Sequence, residues 1–254
     1  MGRGKYVVVV PIAAAESIDA WARWNIDHAR DMVTNAPGFL AGRAYRVRPD
    51  YASNHPEAAA TRPPYDLISC YAVDERGIEW AEARRASRGG APAGASRAYP
   101  TPLGPHRGNH FLLEALSEEF TKPGLDDGER TVRGEHVLLV MMDTGENTEA
   151  WTKWNIDHAR DMVETTPGFV TARTYRVRPD YAGDHPEAAA TRPPYDLVNY
   201  YELDSLDFVL NRRPVMGEGP AGGSRPFPAP LGPYLGDGYL LEGLCEEVTQ
   251  GATE

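Results

Sequence analysis

The sequence is poor in cysteine, in positive charge and in long apolar runs. Only Cys70 and Cys245 occur in 254 residues, in strand-like segments without CxxC or metal spacing. A disulfide framework is therefore not the basis of the fold, and buried free thiols are expected. Lys and Arg number 26 against 37 Asp and Glu, a formal net charge of −11. That balance argues against a general phosphate-backbone binder, whose affinity comes from Lys and Arg releasing counterions, so no nucleic-acid partner is expected. No uncharged stretch approaches the roughly 20 residues that span a bilayer, so no membrane partner is expected either. Met1-Gly-Arg-Gly-Lys5 leads into only a short apolar run, which does not read as a signal peptide. A cytoplasmic protein is the expectation. Nucleophile elbows, P-loops and Rossmann glycine fingerprints are missing as well.

What is present is a duplication. Hydrophobic residues make up 41% of the chain, enough for ordinary cores, and 36 of the 47 positions in 20–66 recur identically in 150–196. The reading is residues 1–120 as a first repeat, 121–134 as a charged linker and 135–254 as a second repeat. In the first repeat, the β-branched run Tyr6 to Ile12 suits a central strand. A helical pattern covers Glu16 to Asn35 and stops at Pro37-Gly38. Alternation from Phe39 to Val47 predicts a strand, with Arg43, Tyr45 and Val47 on one face and Arg46 on the other. Tyr65 to Val73 reads as a third strand, Arg76 to Ser87 as a weaker helix and His110 to Leu116 as a last strand. The order βαββαβ is the ferredoxin-like unit, and it recurs from Val137 to Glu242. One such unit leaves a sheet face bare, and two bury those faces against each other. The expected fold class is α+β, a pseudo-symmetric barrel within one chain.

The identity is unevenly spread. The first strands have drifted, whereas the Pro-rich connection between the second and third strands is nearly verbatim. Loops ordinarily vary faster than the elements they join, so this loop is under a constraint of its own.

The chemistry-bearing residues cluster on the first helix. At about 100° per residue, Ile18, Trp21, Asn25, Ala29 and Met32 share a face, with His28 on its shoulder and Trp24 and Asp31 further round. Asn155, His158, Trp151, Trp154 and Asp161 repeat the pattern. Two readings are open. Asn and His are core residues hydrogen-bonded to a neighbouring strand, or they line a pocket where the imidazole is a general acid/base and Asp31 or Asp161 orients it. The connection adds His55, Arg62 and Tyr65, matched by His185, Arg192 and Tyr195, either as a lid over the pocket or as a rigid wrapping loop. Tyr45 and Tyr175 are candidates for contact with a carboxylate or phenolic substrate, against structural pairing. His106 and His110 face Tyr234 and Gly238 in the second repeat, so the halves need not be equally active. His28, Asp31 and His55 are a weak metal signal without HExxH or facial-triad spacing, so no metal is expected.

The Trp-x-x-Trp-Asn-x-x-His-x-x-Asp helix, followed by Pro-Gly-Phe and an Arg-x-Tyr-Arg strand, resembles the EthD-like branch of the dimeric α+β barrel superfamily. The resemblance covers 6–48 and 136–178, and the rest of each repeat only in element order. It implies a pocket between sheet and helix faced by His28 and His158, in a superfamily of cofactor-free monooxygenases, cyclases, isomerases, lyases and haem enzymes. The Pro-rich connection departs from that family's compact pattern.

The expectation taken forward is a cofactor-independent enzyme of lyase, dehydratase, isomerase or cyclase type, acting on a small apolar or aromatic metabolite. Its catalytic set is His28, His158, Asp31, Asp161, Asn25 and Asn155, with Trp21, Trp24, Trp151 and Trp154 as apolar walls. A cofactor-free or haem oxygenase, or a non-catalytic binding protein, are the alternatives. Pairing of the monomer into a homodimer is left open.

Overall fold

The structure, a computed structural model, describes residues 4–14, 17–51, 64–86, 100, 110–125, 134–181, 193–211, 227–230 and 237–251. In the first repeat β1 (Tyr6–Ile12) leads to α1 (Ile18–Asn35), then β2 (Phe39–Val47), β3 (Leu67–Val73), α2 (Glu75–Ala86) and β4 (Phe111–Ala115). After the two-residue β5 (Phe120–Thr121), the second repeat runs β6 (His136–Met142), α3 (Thr148–Thr165), β7 (Phe169–Val177) and β8 (Leu197–Leu203). It closes with α4 (Asp207–Asn211), β9 (Asp237–Gly243) and the two-residue β10 (Val248–Thr249). Gly38 and Gly168, with φ of 75° and 86°, turn the chain from each long helix into its strand, a conformation that favours glycine. Asp74 starts α2 by accepting the Gly77 N–H at 3.1 Å, which satisfies one of the helix's orphan donors.

Eight antiparallel strands close on themselves in the order β2-β3-β1-β4-β7-β8-β6-β9, with β9 pairing back onto β2. The two seams between repeats are β4 with β7 and β9 with β2. The fold is therefore a dimeric α+β barrel built within one chain, α+β as the alternating pattern implied. Closure leaves no bare sheet face, and the barrel is filled by side chains. Val7, Ile68, Cys70, Phe111, Leu139 and Tyr200 are among those that meet there, all buried. The alternate residues of the same strands face out and pack under the helices. Val8, Tyr71 and Leu112 meet Ala29 and Met32 of α1, while Leu138, Tyr201 and Leu240 meet Ala159 and Met162 of α3.

The second repeat's second helix, α4, is described over Asp207–Asn211, where the described residues end. Two features depart from the sequence reading. The short strands were not foreseen, because two residues carry no periodicity. They lace the halves together, β5 on β7 and β10 on β2. The second departure is where the Pro-rich connections begin. Arg48 N–H donates to Leu240 O and Arg178 N–H to Leu112 O, each at 2.8 Å. Tyr51 then packs in the core of the second repeat, and Tyr181 in that of the first. Each connection thus starts over the other half, because the strand it leaves is the one at the seam. Its central stretch, 52–63 or 182–192, which includes the helical turn expected at 56–60, lies outside the described residues.

Candidate functional site

The buried faces of α1 and α3 fall where the periodicity put them. Trp21, Asn25, Trp151 and Asn155 are each 1% exposed. Burying an amide costs free energy unless its groups are bonded, and here they are. Asn25 Nδ2 donates to Trp21 O at 3.0 Å, and its Oδ1 accepts from Ser69 Oγ at 3.2 Å. Asn155 Nδ2 donates to Trp151 O at 2.9 Å, and its Oδ1 accepts from Asn199 Nδ2 at 2.7 Å. Asn199 Nδ2 also reaches the Tyr201 hydroxyl at 3.1 Å, and Thr174 Oγ1 donates to Asn199 Oδ1 at 2.8 Å. Each amide ties its helix to the strand beneath.

The histidines sit outside this layer, half-buried. His28 stacks on Trp24 with ring centroids 4.5 Å apart and planes 21° from parallel, and His158 on Trp154 at 4.6 Å and 28°. Trp24 in turn meets Trp21 edge-on at 5.5 Å, as Trp154 meets Trp151 at 5.4 Å. A ladder of His, Trp and Trp thus runs from the surface into the core, once in each half. Phe227, 53% exposed, caps the second ladder, 5.5 Å from Trp151 and 5.4 Å from Trp154. Asp31 and Asp161 are half-buried one turn on from the histidines, at a spacing that puts the two side chains on neighbouring turns.

The tyrosines lie elsewhere. Tyr45, Tyr65, Tyr175 and Tyr195 all point into the barrel, on the opposite side of the sheet from the histidine ladders. Tyr65 packs 5.5 Å from Tyr239, and Tyr195 5.6 Å from Phe111. The Tyr45 hydroxyl is 3.4 Å from that of Tyr200, a contact between repeats. Burial holds both phenols well above their usual range, Cys70 adding to the effect at Tyr45 and Tyr45 at Tyr200. Burial also raises the Cys70 thiol, to about 12. The expected site therefore divides into two layers, the Trp, Asn, His and Asp residues outside the sheet and the tyrosines inside it. His55, Arg62, His185 and Arg192 lie outside the described residues, as does His106.

Sequence reasoning missed several residues. Asp66 Oδ2 accepts the Ala14 N–H at 2.7 Å, and Asp196 Oδ2 accepts the Thr144 N–H at 2.9 Å, so each pins the loop entering a long helix. The signal was their place at the end of the retained connection. Ser69, Tyr71, Asn199 and Tyr201 lie beneath the helices, on strands buried along both faces, where no alternation of polar and apolar residues marks them. At one barrel end Glu202, 1% exposed, accepts from Thr171 Oγ1 at 3.1 Å. A Cβ on Gly134 would stand 3.2 Å from Arg43 Nη1, 3.5 Å from the Tyr45 hydroxyl and 3.7 Å from Glu202 Oε1, so three polar groups converge there. Arg173, the counterpart of Arg43, donates to the carbonyls of Ser117 and Gly4 at 2.9 and 3.0 Å.

An open groove of about 530 Å³ runs along the flank of α3, lined by Leu116, Thr148, Thr152, Ile156 and Arg176 among others, and none of the expected site residues lines it. Among the described residues no three His, Cys, Asp or Glu are grouped to hold a metal ion. No helix among them is long and apolar enough to cross a membrane.

No protein-family model and no curated protein matches the chain. Solved structures do match it in fold. An anthrone oxidase-like protein superposes with a TM-score of 0.57 at 11% identity, over 97% of this chain and 93% of the other. A putative monooxygenase from Lactobacillus acidophilus gives 0.45 at 11% identity over 98% and 97%, a level that carries no argument. The first likeness spans both repeats, so the tandem barrel as a whole is the shared unit, and at this identity it speaks for fold alone.

Proposed function

We propose that this chain is an enzyme that moves protons on a small aromatic metabolite, without a cofactor, through its helix histidines. The observation that carries the reading is the half-buried imidazole stacked on an indole, built twice from the same residues. Histidine changes charge near neutral pH, which suits it to proton transfer in either direction. His28 and His158 are the acid/base groups, and Asp31 and Asp161 orient them. The indoles offer flat apolar walls against which an aromatic ring is held. Asn25 and Asn155, bonded to strand partners, are positioning residues that fix the helix on the sheet. The EthD-like placement fits the same helix motif and is part of this proposal.

Proton abstraction from an activated carbon is the shared opening of lyase and isomerase chemistry and of cofactor-free oxygenation. The fold likeness to an anthrone oxidase-like protein favours the oxygenation branch as a second reading. There a carbon acid gives its proton to the imidazole, and the carbanion delivers electrons to O₂. With anthrone, one O₂ is consumed, and anthraquinone and water are formed.

The test is turnover of anthrone and a panel of hydroxylated naphthalenes by the wild type and by the variant carrying both His28→Ala and His158→Ala. The expected outcome is loss of turnover by at least about 100-fold, the usual scale of a general acid/base, with Tm lowered by no more than a few degrees. Retained turnover with a large fall in Tm makes the histidines packing residues and ends this reading. A Soret band in the purified protein would replace it with haem chemistry.

A further inference from the structure

The groove along α3 lies away from the histidine ladder. At about 100° per residue, Trp151, Asn155 and Ala159 face the sheet, with Trp154 and His158 to one side of them and Thr152, Ile156 and Lys153 to the other. The groove runs between that second flank and two residues of the sheet side, Leu116 just past β4 and Arg176 of β7. Its lining is mainly apolar, and its volume of about 530 Å³ falls within the range of small-molecule sites, about 300–1,000 Å³.

The two halves treat this place differently. In the first, Arg46 Nη2 on β2 donates to Asp19 Oδ1 on α1 at 2.8 Å, so an arginine straps strand to helix. In the second, Arg176 stands for Arg46 and Glu149 for Asp19, yet Arg176 Nη2 donates to Glu114 Oε2 on β4 at 2.7 Å. The arginine therefore lies along the seam, and the space between strand and helix stays open. Thr148 and Thr152 replace Ile18 and Ala22, so hydroxyls edge the groove where the first half has hydrocarbon.

Cations stand on both walls, Lys153 on α3 and Arg176 on β7. Lys153 is exposed and in no ion pair among the described residues. Arg176 spends one of its five N–H donors on Glu114 and keeps others for a second acceptor. Of the acids on the same wall, Asp157 is 3.6 Å from Arg160, and Glu149 sits in the first turn of α3, where the helix dipole favours it.

We propose that this groove is a binding site for an unbranched aliphatic carboxylate. Its chain lies along Leu116, Ile156 and the threonine methyls, and its carboxylate between Lys153 and Arg176. Thr148, Thr152 and Ile156 span roughly 12 Å of helix at about 1.5 Å per residue, which suits an extended chain rather than a compact ring. The site is separate from the acid/base reading above, because neither histidine of the long helices lines it.

The experiment is calorimetric titration of the full chain with octanoate, octan-1-ol being the uncharged control. The wild type is expected to bind one octanoate per chain, more tightly than octan-1-ol. Affinity should rise several-fold from hexanoate to decanoate as more methylenes are buried. Lys153→Met should weaken octanoate about fivefold, the scale of an exposed ion pair, and leave octan-1-ol unchanged. Arg23→Met, at the counterpart position on α1, should leave both unchanged; both positions are exposed, so the fold tolerates either change. Ile156→Glu, which sets a carboxylate in the groove, should abolish octanoate binding. The variant carrying His28→Ala and His158→Ala should bind octanoate as the wild type does, which keeps this outcome distinct from the turnover test. Absence of binding, octanoate held no better than octan-1-ol, equal losses in Lys153→Met and Arg23→Met, or binding lost with the histidines overturns the proposal.

Discussion

The layer under α1 and the layer under α3 began as copies and now solve one physical problem in two ways. Both bury an asparagine amide in an apolar stripe. The second half surrounds Asn155 with Asn199, Thr174 and Tyr201, so that the polar groups satisfy one another. The first half answers Asn25 with Ser69 alone, and the same serine hydroxyl is the polar neighbour of Tyr71. A fully connected network specifies a rigid core, and the network under α3 has more members than the one under α1.

The comparison is broken most sharply at the asparagines. Asn155→Leu takes one acceptor from the buried Asn199 amide, which keeps only Tyr201 and Thr174, and should cost about 2–3 kcal/mol. Asn25→Leu strands only a rotatable Ser69 hydroxyl and should cost about 1 kcal/mol. Urea unfolding of the two variants measures both. Equal costs would mean that the networks do not differ in the way described.

A smaller effect separates the barrel-facing residues. Cys70 in the first half occupies the place of Tyr200 in the second, and both are held protonated by burial. An unfolded thiol loses its proton near about 8.5 and an unfolded phenol near about 10. Above those values the unfolded chain sheds protons that the folded chain keeps, so stability falls as pH rises. Below about pH 8.5 these groups should contribute no slope. The decline should begin between about pH 8.5 and 9 through Cys70, whose folded value is about 12, and steepen above about 10 through Tyr45, Tyr71, Tyr175, Tyr200 and Tyr201. Cys70→Val should delay its onset to near pH 10. An onset unmoved in that variant would place the alkaline weakness elsewhere.

Much of this was legible in the sequence, for identifiable reasons. The strand over 39–47 was read to the residue, because Arg43, Tyr45 and Val47 alternate with outward groups over a full-length element. Asn25 fell on the buried stripe because the helix is long enough to show its period. What escaped depends on the pairing between repeats. That Tyr45 faces the barrel rather than the helix follows only once Ile68 and Cys70 are known to share its side. Tyr51 crossing into the other half follows from β2 lying against β9, a seam that no local pattern encodes. Ser69 and Tyr71 were overlooked because a fully buried strand shows no polar and apolar alternation to separate its faces.

The most direct test of the account is anaerobic exchange of the acidic ring-carbon hydrogens of anthrone for deuterium in D₂O, which reads proton abstraction before any oxygen chemistry. Wild type, His28→Ala, His158→Ala and the variant carrying both would be compared at equal concentration. The account predicts exchange well above the buffer rate in the wild type, partial loss of that excess in each single variant and loss of nearly all of it in the double variant, the scale of loss being that of a general base. Full exchange in the double variant would contradict the histidines as proton acceptors.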